Sequence, residues 1–383
     1  MFKLFSSSSL VLILSSGLVA TQATADSPEK PAFDYDAYTL SVEQTQSRQM
    51  AAFIARSENF NQLVTKSCQS GAQNLSQPMK DWNALPKLQQ AWLNTSEEWQ
   101  RLQVFPLGPN TDVTVRLNIS FWPDKKNLVE RKARTLLNQG ENAELKQGGI
   151  AIQGLTASEY LLFDPNHLKK SSPQQSCHLL SQIAAQSEAN AKAMLTRWNE
   201  SDFLVEWHDA ALGNETFAST TQAVGYLLSG LAEQLEAIAK YKLEKPFRLN
   251  DENAKANGYL AENWRSNQSL TNLATNFSQL KAYYLGLKSD DSDTMVTRAI
   301  NGPDQLLRHL GYFEEADQIV AQLNQSQGTL NTLVNMGSAA YLSKEGKAQA
   351  EQLHKNIKQL ERALKKPLPH FQLTQRFNSA DGD

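Results

Sequence analysis

The stretch Gln153-Gly154-Leu155-Thr156-Ala157-Ser158-Glu159-Tyr160-Leu161-Leu162-Phe163-Asp164-Pro165 reads as a short helix with sharp ends. Gly154 can take a strained turn that other residues avoid, and Pro165 cannot continue a helix. Between them Leu155, Ser158/Glu159 and Leu162 fall one turn apart. Thr156 and Glu159, three residues apart, share one face.

The same period extends in both directions. From about Val42 to Cys68, apolar or small residues recur every three or four positions at Met50, Phe53, Ser57, Phe60, Val64 and Cys68, which predicts a long helix. A second helix is expected from Pro86 to about Val104, with Pro86 suited to a first turn and Leu88, Trp92, Trp99 and Leu102 as its stripe. Phe105 to Asn110 holds two prolines and a glycine and reads as a rigid turn. Asp124 can cap a helix beginning at Lys125.

A long helix is expected over Pro173 to Asn199, and a second helical set from about Glu206. Within that set the spacing predicts Thr216 to Leu243, ended by Pro246, then a helix to about Leu287 capped by Ser266 or Ser269. Asp304 to Leu310, Glu314 to Asn335 and Lys344 to Lys365 complete it. No run reads as a β-sheet. The expected fold class is all-α: two tandem helical bundles, 39–205 and 206–366, related by distant duplication although no fixed sequence period supports it.

A chain of 383 residues is long for one core. Its hydrophobic share of 40% and charged share of 20% are those of an ordinary globular protein. The formal net charge of -3 leaves no basic excess for phosphates, so nucleic acid is not an expected partner. At the N-terminus Lys3, the apolar run Leu10 to Leu14 and Ala23-Thr24-Ala25 predict a cleaved signal peptide over residues 1–25. The mature chain would begin at Asp26 with a disordered leader, 26–38, in the periplasm or cell envelope, with no stable membrane span. Two cysteines, Cys68 and Cys177, are either bridged, as an oxidising compartment favours, or two separate buried thiols. A bridge would close a loop of roughly 110 residues, worth ~4 kcal/mol on the chain-entropy account.

Several segments together resemble the imelysin family, helical envelope proteins that include proteins assigned as metallopeptidases and iron-regulated proteins. Gly154, Thr156 and Glu159 are similar to its G-x-H-x-x-E motif, with threonine at the histidine position. Ala91-Trp92, Trp99, Gly108-Pro109 and Phe121-Trp122-Pro123-Asp124 resemble its tryptophan-bearing helix, Gly-Pro turn and Trp-Pro-Asp segment. Gln103 stands where the family places a glutamate. Ala261 to Leu270, containing Glu262, Trp264, Arg265 and Ser266, resembles a segment of the second half. The tail, residues 367–383, ends Phe377-Asn378-Ser379-Ala380-Asp381-Gly382-Asp383, like many family members.

The resemblance implies a metal site at the motif, and these residues depart from it. A threonine hydroxyl is a poor ligand for zinc or iron, and Gln103 offers a neutral amide, so Glu159 is the sole retained metal candidate from the motif. A lone carboxylate would hold iron or another divalent metal weakly, and no cofactor is assigned. The candidate ligand-binding residues are Gln103, Trp122, Asp124, Gly154, Thr156, Glu159, Trp264, Arg265 and Asp381. Glu159 either takes part in a ligand site or pairs with Arg265, whose planar fork suits a carboxylate. For Thr156 the plainer role is a hydroxyl bonding the helix backbone. For the tryptophans the plainer role is core. Asp381 and Asp383 are either solvated or docked near the cleft.

The six histidines, His167, His178, His208, His309, His354 and His370, show no H-E-x-x-H spacing and are expected at the surface or as caps. The expected function is a non-catalytic binding protein of the envelope. A polar cleft between two bundles would capture a ligand or envelope protein of an iron-acquisition system. The alternatives are an imelysin-family metallopeptidase, which needs a metal-bound water and a base, and a structural envelope protein with a degenerate site.

Overall fold

Helix α1, Tyr35–Gln69, buries Met50, Phe53, Ser57, Phe60, Val64 and Cys68, the positions whose spacing predicted it. It begins earlier than the expected Val42, because Asp34 Oδ1 accepts from Ala37 N at 2.9 Å and the Phe33 ring packs edge-on against Tyr35, 4.8 Å between centroids. The predicted leader therefore extends into helix at its last residues, 35–38. The computed structural model describes residues 33–69, 74–286, 288–289, 298–299, 302–371 and 373. The predicted signal segment, residues 26–32 and the Phe377–Asp383 tail with Asp381 lie outside them.

Helix α2, Leu85–Leu102, carries Pro86 in its first turn, and α3 is Val113–Ile119. Helix α4, Leu128–Leu137, starts three residues later than Lys125. Asp124 still caps it, accepting from Leu128 N at 2.7 Å and Val129 N at 2.9 Å. Helices α5, Leu155–Phe163, and α6, Pro165–Lys170, meet at Asp164, whose carboxylate caps the second. Helix α7, Pro173–Asn199, opens on a capping box between Ser172 and Gln175, which satisfies two end donors reciprocally. Cys68 and Cys177 are bonded, joining the last turn of α1 to the first of α7.

Helix α8, Asp202–His208, contains the expected boundary at 205/206. Helix α9, Thr220–Ala237, starts later than predicted, since Ser219 caps it and Asn214 Oδ1 holds Thr216 N and Phe217 N in a turn. It runs into a π-helical turn, Ile238–Glu244, and α10, Lys245–Phe247. Pro246 does not end the helical path, which closes at Arg248 with φ 54°.

The remaining helices are α11, Ser269–Leu285, α12, Pro303–His309, α13, Phe313–Asn335, and α14, Lys344–Lys365. Apart from a two-residue antiparallel ladder, β1 Lys288–Ser289 with β2 Arg298–Ala299, the secondary structure of the described residues is helical or turn. Helix α1 packs between α2 and α7, α14 between α9 and α13, and α11 touches both α2 and α13. The buried apolar side chains form one continuous cluster from Phe33 to Leu373. No helix among the described residues is long and apolar enough to cross a membrane.

Candidate functional site

Helix α5 is buried from Leu155 to Leu162, polar residues included. Gly154 makes that placement possible. Its φ of 77° is closed to most side chains, and a Cβ there would fall on the Ile119 carbonyl oxygen and within 2.6 Å of that of Asn118. The helix start is thus pressed against the end of α3. From α2, the Trp92 indole N–H points to the Leu155 carbonyl at 3.0 Å and to Ser158 Oγ at 3.1 Å.

This anchoring sends Glu159 toward the turn Glu262–Asn267 that precedes α11. Glu159 Oε1 accepts from Ser266 N at 3.0 Å and Ser266 Oγ at 2.8 Å, and Oε2 from Asn263 Nδ2 at 3.2 Å. Asn263 is itself held by Asn272, whose Nδ2 donates to its Oδ1 at 2.8 Å. Burial raises the Glu159 carboxyl above the ordinary range, against the pull of Ser266, Asn263 and the nearby Arg265 guanidinium. Thr156 Oγ1 lies 3.1 Å from Ser120 Oγ.

Arg265, beside Ser266, points elsewhere. Its Nε donates to Asp164 Oδ2 at 3.0 Å, its Nη2 donates to Asn127 Oδ1 at 3.3 Å and lies 3.6 Å from Glu130 Oε2. The guanidinium lies 4.4 Å from the Trp264 centroid and 5.3 Å from that of Tyr160. The Tyr160 phenol is pushed up to about 12, chiefly by burial, then by Asp164 and Glu130. Next to it lies a second buried ion pair. Lys242 donates to Glu262 at 2.6 Å and also bonds Asn276, burial lowering its ammonium below the usual range.

Thr156, Glu159, Asn263, Trp264, Arg265 and its partners Asp164, Asn127 and Glu130 border a cavity of about 770 Å³. Trp122, Pro123 and Asp124, from the segment before α4, line it as well. Tyr241, Lys245 and Arg248 come from the π-helical turn and α10, and Tyr259 and Trp264 from the chain leading to α11. Its size falls in the ordinary range for small-molecule sites. The imelysin peptidase family model matches residues 34–382. The chain belongs to the imelysin family.

Two solved structures share the fold. An imelysin-like protein from Psychrobacter arcticum superposes with a TM-score of 0.66 at 17% identity, covering 91% of this chain and 100% of that one. A protein from Parabacteroides distasonis, provisionally described as an iron-regulated protein A precursor, gives 0.65 at 15% identity over 90% and 97%. A search of curated proteins returned no match.

Of the residues singled out by resemblance to imelysin, Trp122, Asp124, Thr156, Glu159, Trp264 and Arg265 border the one cavity. Gln103 does not. It follows α2, its side chain bonds Gln100 and its carbonyl accepts from Arg116. Gly154 acts through backbone geometry behind the wall. Of the two roles left open for Glu159, the pair with Arg265 is not formed, because the turn gives the carboxylate to Ser266 and Asn263 and turns the guanidinium toward Asp164. Thr156 bonds Ser120 rather than its own backbone. Ser266 caps no helix, and neither does Ser269. Trp92 and Trp99 are core, whereas Trp122 and Trp264 are half-buried at the cavity. His167 is buried, not at the surface.

Spacing alone missed Asn263, Ser266, Glu130, Asp164 and Tyr241. One signal was present. Asn263 and Asn267 adopt φ of 50° and 58°, and two asparagines four apart beside Ser266 mark a turn rather than the start of a helix.

Proposed function

We propose that this member of the imelysin family is an exported, non-catalytic binding protein whose cavity of about 770 Å³ captures a ligand in the service of iron acquisition. One observation carries the reading: both oxygens of Glu159 are already engaged by donors of the chain itself. Thr156, placed by resemblance at the family's histidine position, offers a neutral hydroxyl engaged with Ser120. Among the described residues no three His, Cys, Asp or Glu side chains gather as a metal-holding group. This donor set does not fit a tightly held transition metal.

Export is supported by the Cys68–Cys177 bridge, which belongs in an oxidising compartment. The link to iron rests on the Parabacteroides relative in fold, described as iron-regulated. The cavity is lined by residues from both expected helical sets, within 122–166 and 241–265, which supports a site shared between them.

The family match keeps a metallopeptidase as the rival. Metal content of the purified chain and peptide cleavage with and without chelator decide between them. Binding without chelator-sensitive cleavage is expected. Stoichiometric transition metal with cleavage that chelator abolishes would replace this reading by the rival. Glu159→Gln and Arg265→Ala, which loosen the turn that carries Asn263 and Trp264 to the cavity, are each expected to weaken a ligand-induced thermal shift. A shift unchanged in both would remove the cavity as the site.

A further inference from the structure

The cavity wall carries carboxylates and cations in similar number, but their partners differ. Asp124 is spent on the backbone of α4, and Asp164 and Glu130 on Arg265. Asp251 Oδ1 accepts from Asn253 N and Ala254 N at 3.1 and 3.2 Å, and Glu244 lies 3.7 Å from His354. Glu159 is sealed by Ser266 and Asn263. Four bordering cations, Lys125, Lys126, Lys245 and Arg248, have no carboxylate within ion-pair distance among the described residues. Lys125, Lys126 and Arg248 are exposed, so they can turn into the opening.

Burial, and after it the charges of Lys125 and Lys240, lower the Lys245 ammonium below the usual range, against the opposing pull of Glu244. An anion would relieve that repulsion. The rest of the lining is aromatic. Trp122 meets Tyr241 edge-on at 6.2 Å and Tyr259 meets Trp264 edge-on at 4.7 Å. Lys245 stands over the Tyr241 ring at 4.2 Å and Arg265 over Trp264 at 4.4 Å, so aromatic and cationic groups are interleaved along the lining, and the Tyr259 ring is exposed.

We propose that the cavity takes a flat organic polyanion, its body against Trp122, Tyr241, Tyr259 and Trp264 and its anionic groups on Lys125, Lys126, Lys245 and Arg248. The proposal rests on the binding-protein reading and names the ligand class of that site. Salt weakens such binding, since the cations are near solvent.

Three probes separate the contributions: naphthalene dicarboxylate, the uncharged naphthalene dimethanol, and citrate, which is anionic without a ring. Calorimetry and quenching of tryptophan fluorescence read the binding. The dicarboxylate is expected to bind at least ~10-fold tighter than either other probe, as one or two charge-assisted contacts imply. Lys245→Gln with Arg248→Gln should weaken it by ~10-fold or more and flatten its salt dependence. Lys125→Gln with Lys126→Gln, on an exposed loop, provides the same comparison if the first pair does not fold.

Equal affinity for the dimethanol, or unchanged affinity in a folded double variant, overturns the anionic assignment. Equal affinity for citrate overturns the flat body. Binding by none of the three overturns the proposal entirely. None of these results touches the non-catalytic reading, which is tested separately by metal content, by chelator-sensitive cleavage and by the thermal-shift variants.

Discussion

At Gly154 two independent constraints coincide. Its φ of 77° lies where a Cβ is strained, and the space that a Cβ would need is filled by the backbone of Asn118 and Ile119. Backbone cannot rotate aside as a flexible side chain can. Gly154→Ala is therefore expected to cost at least about 3 kcal/mol, strain and overpacking together. Chemical denaturation reads this, and a loss below about 1 kcal/mol would show that α3 yields more easily than its packing indicates.

His167 offers a second test at the same scale. Ser176 Oγ donates to the Ser172 carbonyl at 2.9 Å, so the His167 Nε2, 3.1 Å from that hydroxyl, must carry the proton. Nδ1 then accepts from Ser171 Oγ at 3.1 Å. Burial lowers this imidazole from its ordinary value to about 4, against the opposing charge of Asp164. The folded chain thus binds the proton less readily than the unfolded one. Stability is complete above the unfolded value of about 6.5 and is lost as pH falls toward 4, by about 3 kcal/mol in total. His167→Gln should show a shallower acid loss than the parent between those limits. Parallel curves would refute the assignment, as would an imidazole resonance that titrates near its ordinary value.

Among the elements, the turn Glu262–Asn267 does most to set the cavity wall. It delivers Arg265 to Asp164, with side chains 4% and 6% exposed. Removing one member of such a pair strands the other charge away from water. Arg265→Met is expected to destabilise by about 3 kcal/mol. A cycle with Asp164→Asn should return a coupling of at least about 1 kcal/mol, and additive losses would mean that the contact is incidental.

The same turn explains what the sequence could and could not reveal. Helices α7 and α14 keep the ends that spacing predicted, because Ser172 with Pro173 and Ser343 with Lys344 are local signals. Cavity-lining positions carried by motifs were legible too. Partnership was not. Glu159 and Ser266 stand 107 residues apart, and no period or cap can say which donor meets a buried carboxylate. Arg265 was the reasonable partner on charge, but neighbours along an irregular turn point in different directions.

For the whole molecule, the Cys68–Cys177 bridge spans 109 residues and fastens α1 to α7. Both helices also pack along their lengths, so the covalent link adds to an interface that exists without it. Reduction, or Cys68→Ser with Cys177→Ser, is expected to lower stability by about 4 kcal/mol through the loop released in the unfolded chain. Denaturation with and without reductant measures it. Probe binding by the reduced, still folded chain should be unchanged, and loss of binding before unfolding would tie the bridge to the cavity.

The cavity is sewn from distant strips of sequence, with Arg265 joining Asp164 across 101 residues and Glu159 meeting Asn263 across 104. Neither half of the polypeptide owns it. Occupancy is therefore a certificate of complete assembly: a truncated or half-collapsed chain would have nothing to offer a ligand, and only molecules that have finished folding would enter service.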